Sequence, residues 1–400
     1  MKEPIYITGA GIVSAIGLNK AEVLDSLRQH RTGIAPLQYL QSEHTELPVG
    51  EVKLSNEKMK SILQISESIP PTRTSLMGIM AIKEALNEAN IVPSSTQCIG
   101  FVSGTTVGGM DMTEQHYLDF FEKNDFDHFI TSHDCGACTQ TIADYFGHFS
   151  YVTSVSTACS SAANAIILGA ELIESGELDI VIVGGSESLT KYHLNGFNTL
   201  MILDHEQCRP FDATRSGLNL GEGAAYLILE KASSAKRRKA KAIGTLSGYG
   251  NACDAFHQTA SSENGEGAFR AMIKAVQSAG LQMNDIQYIN AHGTGTINND
   301  ISESIAIKRL FGDILPPISS TKSYTGHTTS ASGSIEAVIC LLAMTYQFLP
   351  TNLNWKYPMP EGITPNMHDY SNTELKHVLC NSFGFGGNDS SLLLSKPMNE

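Results

Sequence analysis

The chain has a single tryptophan in 400 residues, 7% aromatic residues and only 17% charged ones. So little charge beside 42% hydrophobic residues and 35 glycines excludes a disordered, solvated chain and implies a large core crossed by tight turns. An excess of positive charge is also missing. The formal net charge of −14 argues against nucleic acid or an anionic membrane as the main partner. No apolar run reaches membrane-spanning length, and the best of them, AVICLLAMTYQFL at 337–349, reads as a buried helix. The eight cysteines (98, 135, 138, 159, 208, 253, 340 and 380) form no disulfide framework. MKEP leads straight into IYITGAGIVSAIG without the pattern of a secretory leader. A reducing cytoplasm is the expected compartment.

What is present is organised around residues 151–188. YVTSVS reads as a strand, and STACSSAANAIILGAELIESG as a helix with Cys159 in its first turn. Ser156 and Thr157 are the expected N-cap types, and Gly176 the C-terminal stop. LDIVIVGGSES then reads as a strand buried on both faces. A thiol at a helix N-terminus is expected to have a lowered pKa, with small neighbours leaving room for a substrate. The plainer reading is a small buried cysteine.

IYITGAGIVSAIG (5–17) reads as a strand and a tight glycine turn beneath other backbone. A dinucleotide loop is disfavoured because Ser14 stands where the third glycine of G-x-G-x-x-G would fall. The basic run SSAKRRKAKA (233–242) reads as a solvated helix end linking two halves. The order of elements then repeats. Helix 73–90 and strand CIGFVSG are matched by helix 266–280 and strand DIQYINA. The cysteine helix and LDIVIVGGSES are matched by TGHTTSASGSIEAVICLLAMTYQFL and HVLCNSFGFGGND. The expectation is a pseudo-duplicated α/β fold divided into residues 1–245 and 246–400. Function is expected at the loops after the strands, which hold Cys159, His292, His327 and Phe385.

The motifs STACSSA, RPFD…GLNLGEGA, YINAHGTGTINND, SSTKSYTGH and NSFGFGGND resemble, in order and spacing, those of the β-ketoacyl-[acyl carrier protein] synthases with a Cys-His-His triad. The resemblance runs from Ile5 to Leu394. It implies the thiolase fold, two five-stranded halves layered α-β-α-β-α, and a decarboxylative condensation with malonyl-[acyl carrier protein]. By the same resemblance Cys159 holds the acyl chain as a thioester. The backbone N–H groups of Cys159 and Phe385 form the oxyanion hole, and His292 and His327 stabilise the enolate. Lys322 and Glu336 are a support pair, and Thr294 and Thr296 bind the phosphopantetheine arm. Phe129 closes the partner subunit's pocket and Val107 flanks the acyl chain. Asp300 and Glu303 read as structural, behind the site. The resemblance implies a cytoplasmic dimer of like or related chains, acyl carrier protein as partner, and neither metal nor cofactor beyond the carrier's own phosphopantetheine.

Departures stand beside this likeness. HGTGTINN and GHTTSASG replace the fatty-acid type's H-G-T-S-T-P and G-H-L-L-G-A-A-G, hinting at a specialised polyketide or polyene product. Leu200 or Met201 stands where a basic carrier-docking residue is usual; because carrier proteins are acidic as this chain is, docking is expected to use a local basic patch that includes Lys58, Lys60 or Arg73. Cys135 and Cys138, near His128 and His133, invite a zinc or redox reading, against a likelier place lining the acyl pocket. A non-catalytic chain-length-factor-like partner, a degradative thiolase and a cysteine hydrolase are the competing readings. The first normally lacks the cysteine, the second needs another active cysteine, and the third a His-Asn/Asp pair.

Overall fold

The computed structural model describes residues 3–65, 71–94, 98–122, 127–368 and 373–397, without the side chains at 121, 127 and 128. In chain order, the elements that position the site are β1 (Ile5–Ser14), α1 (Arg73–Ala89), β2 (Ile99–Gly104), β3 (Tyr151–Val155), α2 (Ser161–Glu174), β4 (Ile180–Glu187), α3 (Lys191–Thr199) and β5 (Gly223–Lys231). They continue as β6 (Gly244–Cys253), α4 (Glu266–Ser278), β7 (Tyr288–Asn290), α5 (Ile297–Phe311), β8 (Ile318–Ser319), α6 (Ser332–Tyr346), β9 (His377–Gly384) and β10 (Asn388–Ser395).

The strands lie in the order β3-β2-β4-β5-β1-β6-β10-β9-β7-β8. Adding five to each strand number of the first half gives the second half in mirror order. The pairing repeats as well: β3-β2-β4 and β8-β7-β9 are parallel, whereas β4-β5-β1 and β9-β10-β6 are antiparallel. Among the described residues, strand pairing between the two five-strand sets runs where Ile5–Ile7 pairs with Gly244–Leu246. Helix α1 covers one outer face and α4 the other, while α2 and α6 fill the space between the two five-strand sets. This is the α-β-α-β-α layering of the thiolase fold. Thr329–Tyr346 is apolar and long enough to cross a membrane, yet 89% of it is buried inside the protein in the central layer.

Small residues make this layering possible. A Cβ at Gly9 or Gly11 would stand 2.2 or 2.0 Å from the carbonyl oxygens of Ala85 and Ala81 in α1. A Cβ at Gly248 or Gly250 would meet those of Ala275 and Ala271 in α4 at 2.3 and 2.2 Å. The G-A-G of β1 is therefore not the expected turn: it is strand passing directly beneath a helix, and its counterpart in β6 does the same. Helix α1 begins where the Thr72 hydroxyl accepts from the Ser75 N–H and ends at Asn90 in the left-handed region.

Arg73 does not belong to a docking patch. Its guanidinium is buried against Glu222 at 2.6 Å, and Glu222 also accepts from the N–H groups of Val52 and Leu189. A charge so held is unavailable to a partner. The basic run after β5 begins as the short helix Ala232–Arg237, and Arg238 is tied to the buried Glu230 at 2.6 Å. Cys138 lies in the core beneath α1, with its sulfur 3.8 Å from the Thr72 hydroxyl. Among the described residues no three His, Cys, Asp or Glu side chains gather as metal ligands, and the His128 side chain lies outside the described residues.

The strand–helix contacts generate a stability prediction. Gly11→Val should lower the urea midpoint by the equivalent of about 1–3 kcal/mol or more through overpacking. Gly196→Ala, in an exposed stretch of α3 with nothing within 4 Å of a new Cβ, should raise stability by about 0.5–1 kcal/mol. Equal midpoints for wild type and Gly11→Val would contradict the packing.

Candidate active site

The first functional side chain is set by a backbone strain. After β3, Ala158 takes φ +52°, a left-handed value uncommon outside glycine. The helix consequently starts at Ser161, so Cys159 precedes it by two residues instead of lying in its first turn. Ser156 and Thr157 are not its caps. Ser160 occupies that position without a side-chain cap bond, while the Ser161 hydroxyl accepts from the Thr157 N–H and donates to the Ala158 carbonyl. This knits the bend and turns the thiol toward the second half of the chain.

The second half answers with two histidines. His327 Nε2 lies 3.2 Å from Cys159 Sγ. Its backbone N–H donates to the Asn219 carbonyl at 2.7 Å, and its carbonyl accepts from the Gly221 N–H at 2.9 Å. The GLNLGEGA motif thus holds the loop that carries His327. His292 follows β7 in a turn where Gly293 and Gly295 have φ +38° and +84°. The N–H groups of His292 and Gly293 each donate to the Glu303 carboxylate at 2.8 Å. Asp300 accepts from the N–H groups of Phe211 and Gly295. Both acids sit behind the site as buried anchors, as expected. The two imidazoles meet edge to face with centroids 5.2 Å apart.

Lys322 lies beneath them, its Nζ 2.5 Å from Glu336 Oε1 and 3.3 Å from His292 Nδ1. Burial, helped by the Lys322 charge, holds both histidines well below the ordinary range, so they are neutral. Burial raises Glu336 to about 7, with Lys322 opposing. Burial likewise raises Glu303 to about 7 against its N–H donors.

The thiol contradicts one expectation. Burial pushes Cys159 up to about 11, although Lys322 and the N–H groups of Phe385 and Cys159 itself act in the opposite direction. Only 5% of the residue is exposed, and the loss of hydration outweighs the nearby donors and positive charge. The resting group is a thiol beside a neutral base, not a thiolate. The N–H groups of Cys159 and Phe385 both address the sulfur, and a Cβ at Gly384 would come within 3.1 Å of the Cys159 nitrogen.

Cys159, His292 and His327 line one cavity of about 310 Å³, shared with Thr294, Thr296 and Phe385. The hydroxyls of Thr294 and Thr296 lie 2.9 Å apart. The Phe385 ring stacks on Phe197 with centroids 5.9 Å apart. Leu200 and Met201 also line this cavity, and Met201 is 87% exposed. Phe129, Val107, Cys135 and Cys138 do not line it. Phe129 stacks on His116 at 4.0 Å, and the Val107 N–H donates to Glu187. The two cysteines thus stand outside this cavity. Glu187 escaped the sequence reading because it ends a strand among small residues. It is fully buried, accepts from Thr105, Thr106 and Thr329, and its charge pushes the Cys159 thiol upward.

Because the folded-state pKa of Cys159 is raised, its thiolate fraction keeps growing as pH rises toward that value. Alkylation of Cys159 by iodoacetamide, followed by peptide mass mapping, should accelerate about tenfold per pH unit between about pH 7 and 10. A plateau below about pH 8 would mean that a thiolate–imidazolium pair already exists at rest.

Comparison with known proteins agrees with this geometry. The sequence matches the family models "Beta-ketoacyl synthase, N-terminal domain" over residues 2–235 and "Beta-ketoacyl synthase, C-terminal domain" over residues 243–356. It is 33% identical to 3-oxoacyl-[acyl-carrier-protein] synthase 2 of Synechocystis sp., covering 99% of this chain and 98% of that protein. Among solved structures it resembles the ishigamide ketosynthase/chain length factor with a TM-score of 0.90 and 28% identity, covering 99% of this chain and 100% of the other. A type II polyketide acyl carrier protein in complex with its ketosynthase bound to the hexaketide gives a TM-score of 0.87 and 26% identity, with the same coverage. With both domain models matched in sequence and a thiol and two imidazoles gathered in one cavity, the chain belongs to the β-ketoacyl synthase family.

Proposed function

We propose that this protein is a condensing acyltransferase. It joins an acyl group held on Cys159 to malonyl-[acyl carrier protein] by decarboxylative Claisen condensation, giving a β-ketoacyl-[acyl carrier protein] in fatty acid or related polyketide or polyene elongation. The observation that carries this reading is the 3.2 Å contact between Cys159 Sγ and His327 Nε2, with His292 beside it in the same cavity.

In the first half-reaction His327 Nε2 takes the thiol proton as Sγ attacks the acyl thioester carbonyl. The oxyanion accepts from the N–H groups of Cys159 and Phe385, and the carrier thiol leaves with the proton. In the second, the malonyl thioester carbonyl accepts from Nε2–H of His292 and of His327. Carbon dioxide leaves, the enolate attacks the acyl-Cys159 carbonyl and expels the Cys159 sulfur as a thiolate, and one proton taken up from water restores the thiol. Lys322 donates to His292 Nδ1, which keeps the His292 hydrogen on Nε2, facing the substrate. Glu336 holds Lys322. Thr294 and Thr296 take the phosphopantetheine arm, which arrives on the carrier, and the reaction uses no other cofactor.

The partner in this reading is an acyl carrier protein. The working unit is a cytoplasmic dimer of like chains, or of this chain with a related ketosynthase-like one, as the ishigamide pair is by name. The division into residues 1–245 and 246–400, the Phe129 contact to the partner's pocket and the Val107 contact to the acyl chain rest on the family resemblance and the duplication alone.

The test is incubation with acyl- and malonyl-carrier, read by intact mass and product. Wild type should gain an acyl mass on Cys159 and form β-ketoacyl-carrier, and Cys159→Ala should do neither. His292→Ala should lower carbon dioxide release by about 10²–10³-fold while self-acylation persists. A wild-type protein that is never acylated, and that makes product only when mixed with another ketosynthase, would instead be a chain-length-factor-like partner.

A further inference from the structure

The two histidines differ in what holds the ring nitrogen that faces away from the reacting atoms. His292 Nδ1 faces the Lys322 ammonium, a group with donors only, so its hydrogen stays on Nε2. His327 Nδ1 faces the Ser332 hydroxyl at 3.0 Å, and a hydroxyl both donates and accepts. Ser332 Oγ has a second partner of the same kind, Thr328 Oγ1 at 3.2 Å. His327, Thr328 and Ser332 are each 1% exposed, so solvent does not stand in for a lost partner. Ser332 is the first residue of α6, where the fatty-acid type's G-H-L-L-G-A-A-G noted above has alanine.

The reaction asks His327 for two tautomers. To take the thiol proton, Nε2 must be bare and the hydrogen must sit on Nδ1. To donate to the malonyl thioester carbonyl, Nε2 must carry the hydrogen and Nδ1 must be bare. A fixed donor or a fixed acceptor at Nδ1 would favour one half-reaction and leave a buried polar group unpaired in the other.

We propose that Ser332 is a positioning residue whose hydroxyl lets His327 serve in both half-reactions, accepting from Nδ1–H during acyl transfer and donating to bare Nδ1 during condensation. This inference rests on the condensing reading above. During acyl transfer the thiol proton moves to Nε2, giving an imidazolium whose Nδ1–H is held by Ser332 Oγ. The Sγ–acyl bond forms, the carrier sulfur–acyl bond breaks, and the departing sulfur takes the Nε2 proton. Between half-reactions Nε2, which faces the cavity, gains a proton from water there, and the Nδ1 proton leaves along the Ser332 and Thr328 hydroxyls, so the proton count is unchanged. The Ser332 and Thr328 hydroxyls rotate together to follow it.

The experiment measures the two half-reactions separately in Ser332→Ala and Ser332→Thr. Acylation of Cys159 from an acyl-carrier is followed by intact mass, and carbon dioxide release from malonyl-carrier by a coupled assay. An unpaired buried N–H is worse tolerated than an unpaired acceptor, so alanine should hold His327 in the Nε2–H form. Acylation by Ser332→Ala should fall on the order of tenfold while carbon dioxide release stays within about threefold, and Ser332→Thr should regain most of the loss. Two results would overturn the inference: both half-reactions within twofold of wild type, or both falling together with the thermal midpoint, which would mark a packing role. The condensing reading fails separately, if wild type itself neither acylates nor decarboxylates. Iodoacetamide alkylation of Cys159 still decides the tautomer in that case: an Nε2–H fixed toward Sγ favours the thiolate, so the rate should be higher in Ser332→Ala than in wild type, and an unchanged rate would overturn the inference.

Discussion

The buried pair of Lys322 and Glu336 governs the charge of everything above it. An ammonium 2.5 Å from a carboxylate, both nearly sealed from solvent, is costly to assemble and costly to break. Once formed, it acts through a medium of low polarity on three groups. Its ammonium adds to burial in holding His292 and His327 neutral, fixes the hydrogen of His292 on Nε2, and draws the Cys159 thiol downward against burial. A catalyst that must hold a thiol, two donors and a developing enolate in one dry cavity needs such a counterweight, and this chain supplies it from a helix and a loop of the second half.

The cavity itself is a product of duplication. Parallel strands end in loops at one edge of a sheet, and each half contributes such an edge. The nucleophile comes from the loop after β3, whereas His292, Lys322 and His327 come from loops after β7 and β8. Gly9, Gly11, Gly248 and Gly250 let the outer helices lie directly on the strands, so each half is thin enough to stack on the other. The same economy recurs at Gly221, where a Cβ would stand 2.4 Å from the Thr325 carbonyl oxygen just before His327. The GLNLGEGA motif has no side chain among the reacting groups, yet its backbone holds one of them.

Much of this was legible in residue order. The helix over 73–90, the buried strand 180–187, the repeat of elements and the four glycine-flanked turns follow from local periodicity and turn chemistry, which depend on near neighbours alone. The pairing of Lys322 with Glu336 followed from resemblance. Glu187 and Ser332 were not legible, because a carboxylate at a strand end and a serine at a helix start have many bland uses. Arg73 and the G-A-G of β1 were misread for a related reason: a surface helix start and a buried one, or a turn glycine and a packing glycine, are written alike.

Spacing alone determined that Cys159 lies at the N-terminal end of a helix, though not that it stands two residues ahead of it, and that two histidines lie in glycine-rich turns of a second, similar half. Only the tertiary structure decided that a sulfur and a ring nitrogen 168 residues apart lie 3.2 Å from each other. It also decided the sign of the thiol's shift. A helix N-terminus by itself favours the thiolate, but burial between two halves removes the water that a charged sulfur needs, and that loss is larger. Desolvation is a property of the packed whole, and no stretch of sequence carries it.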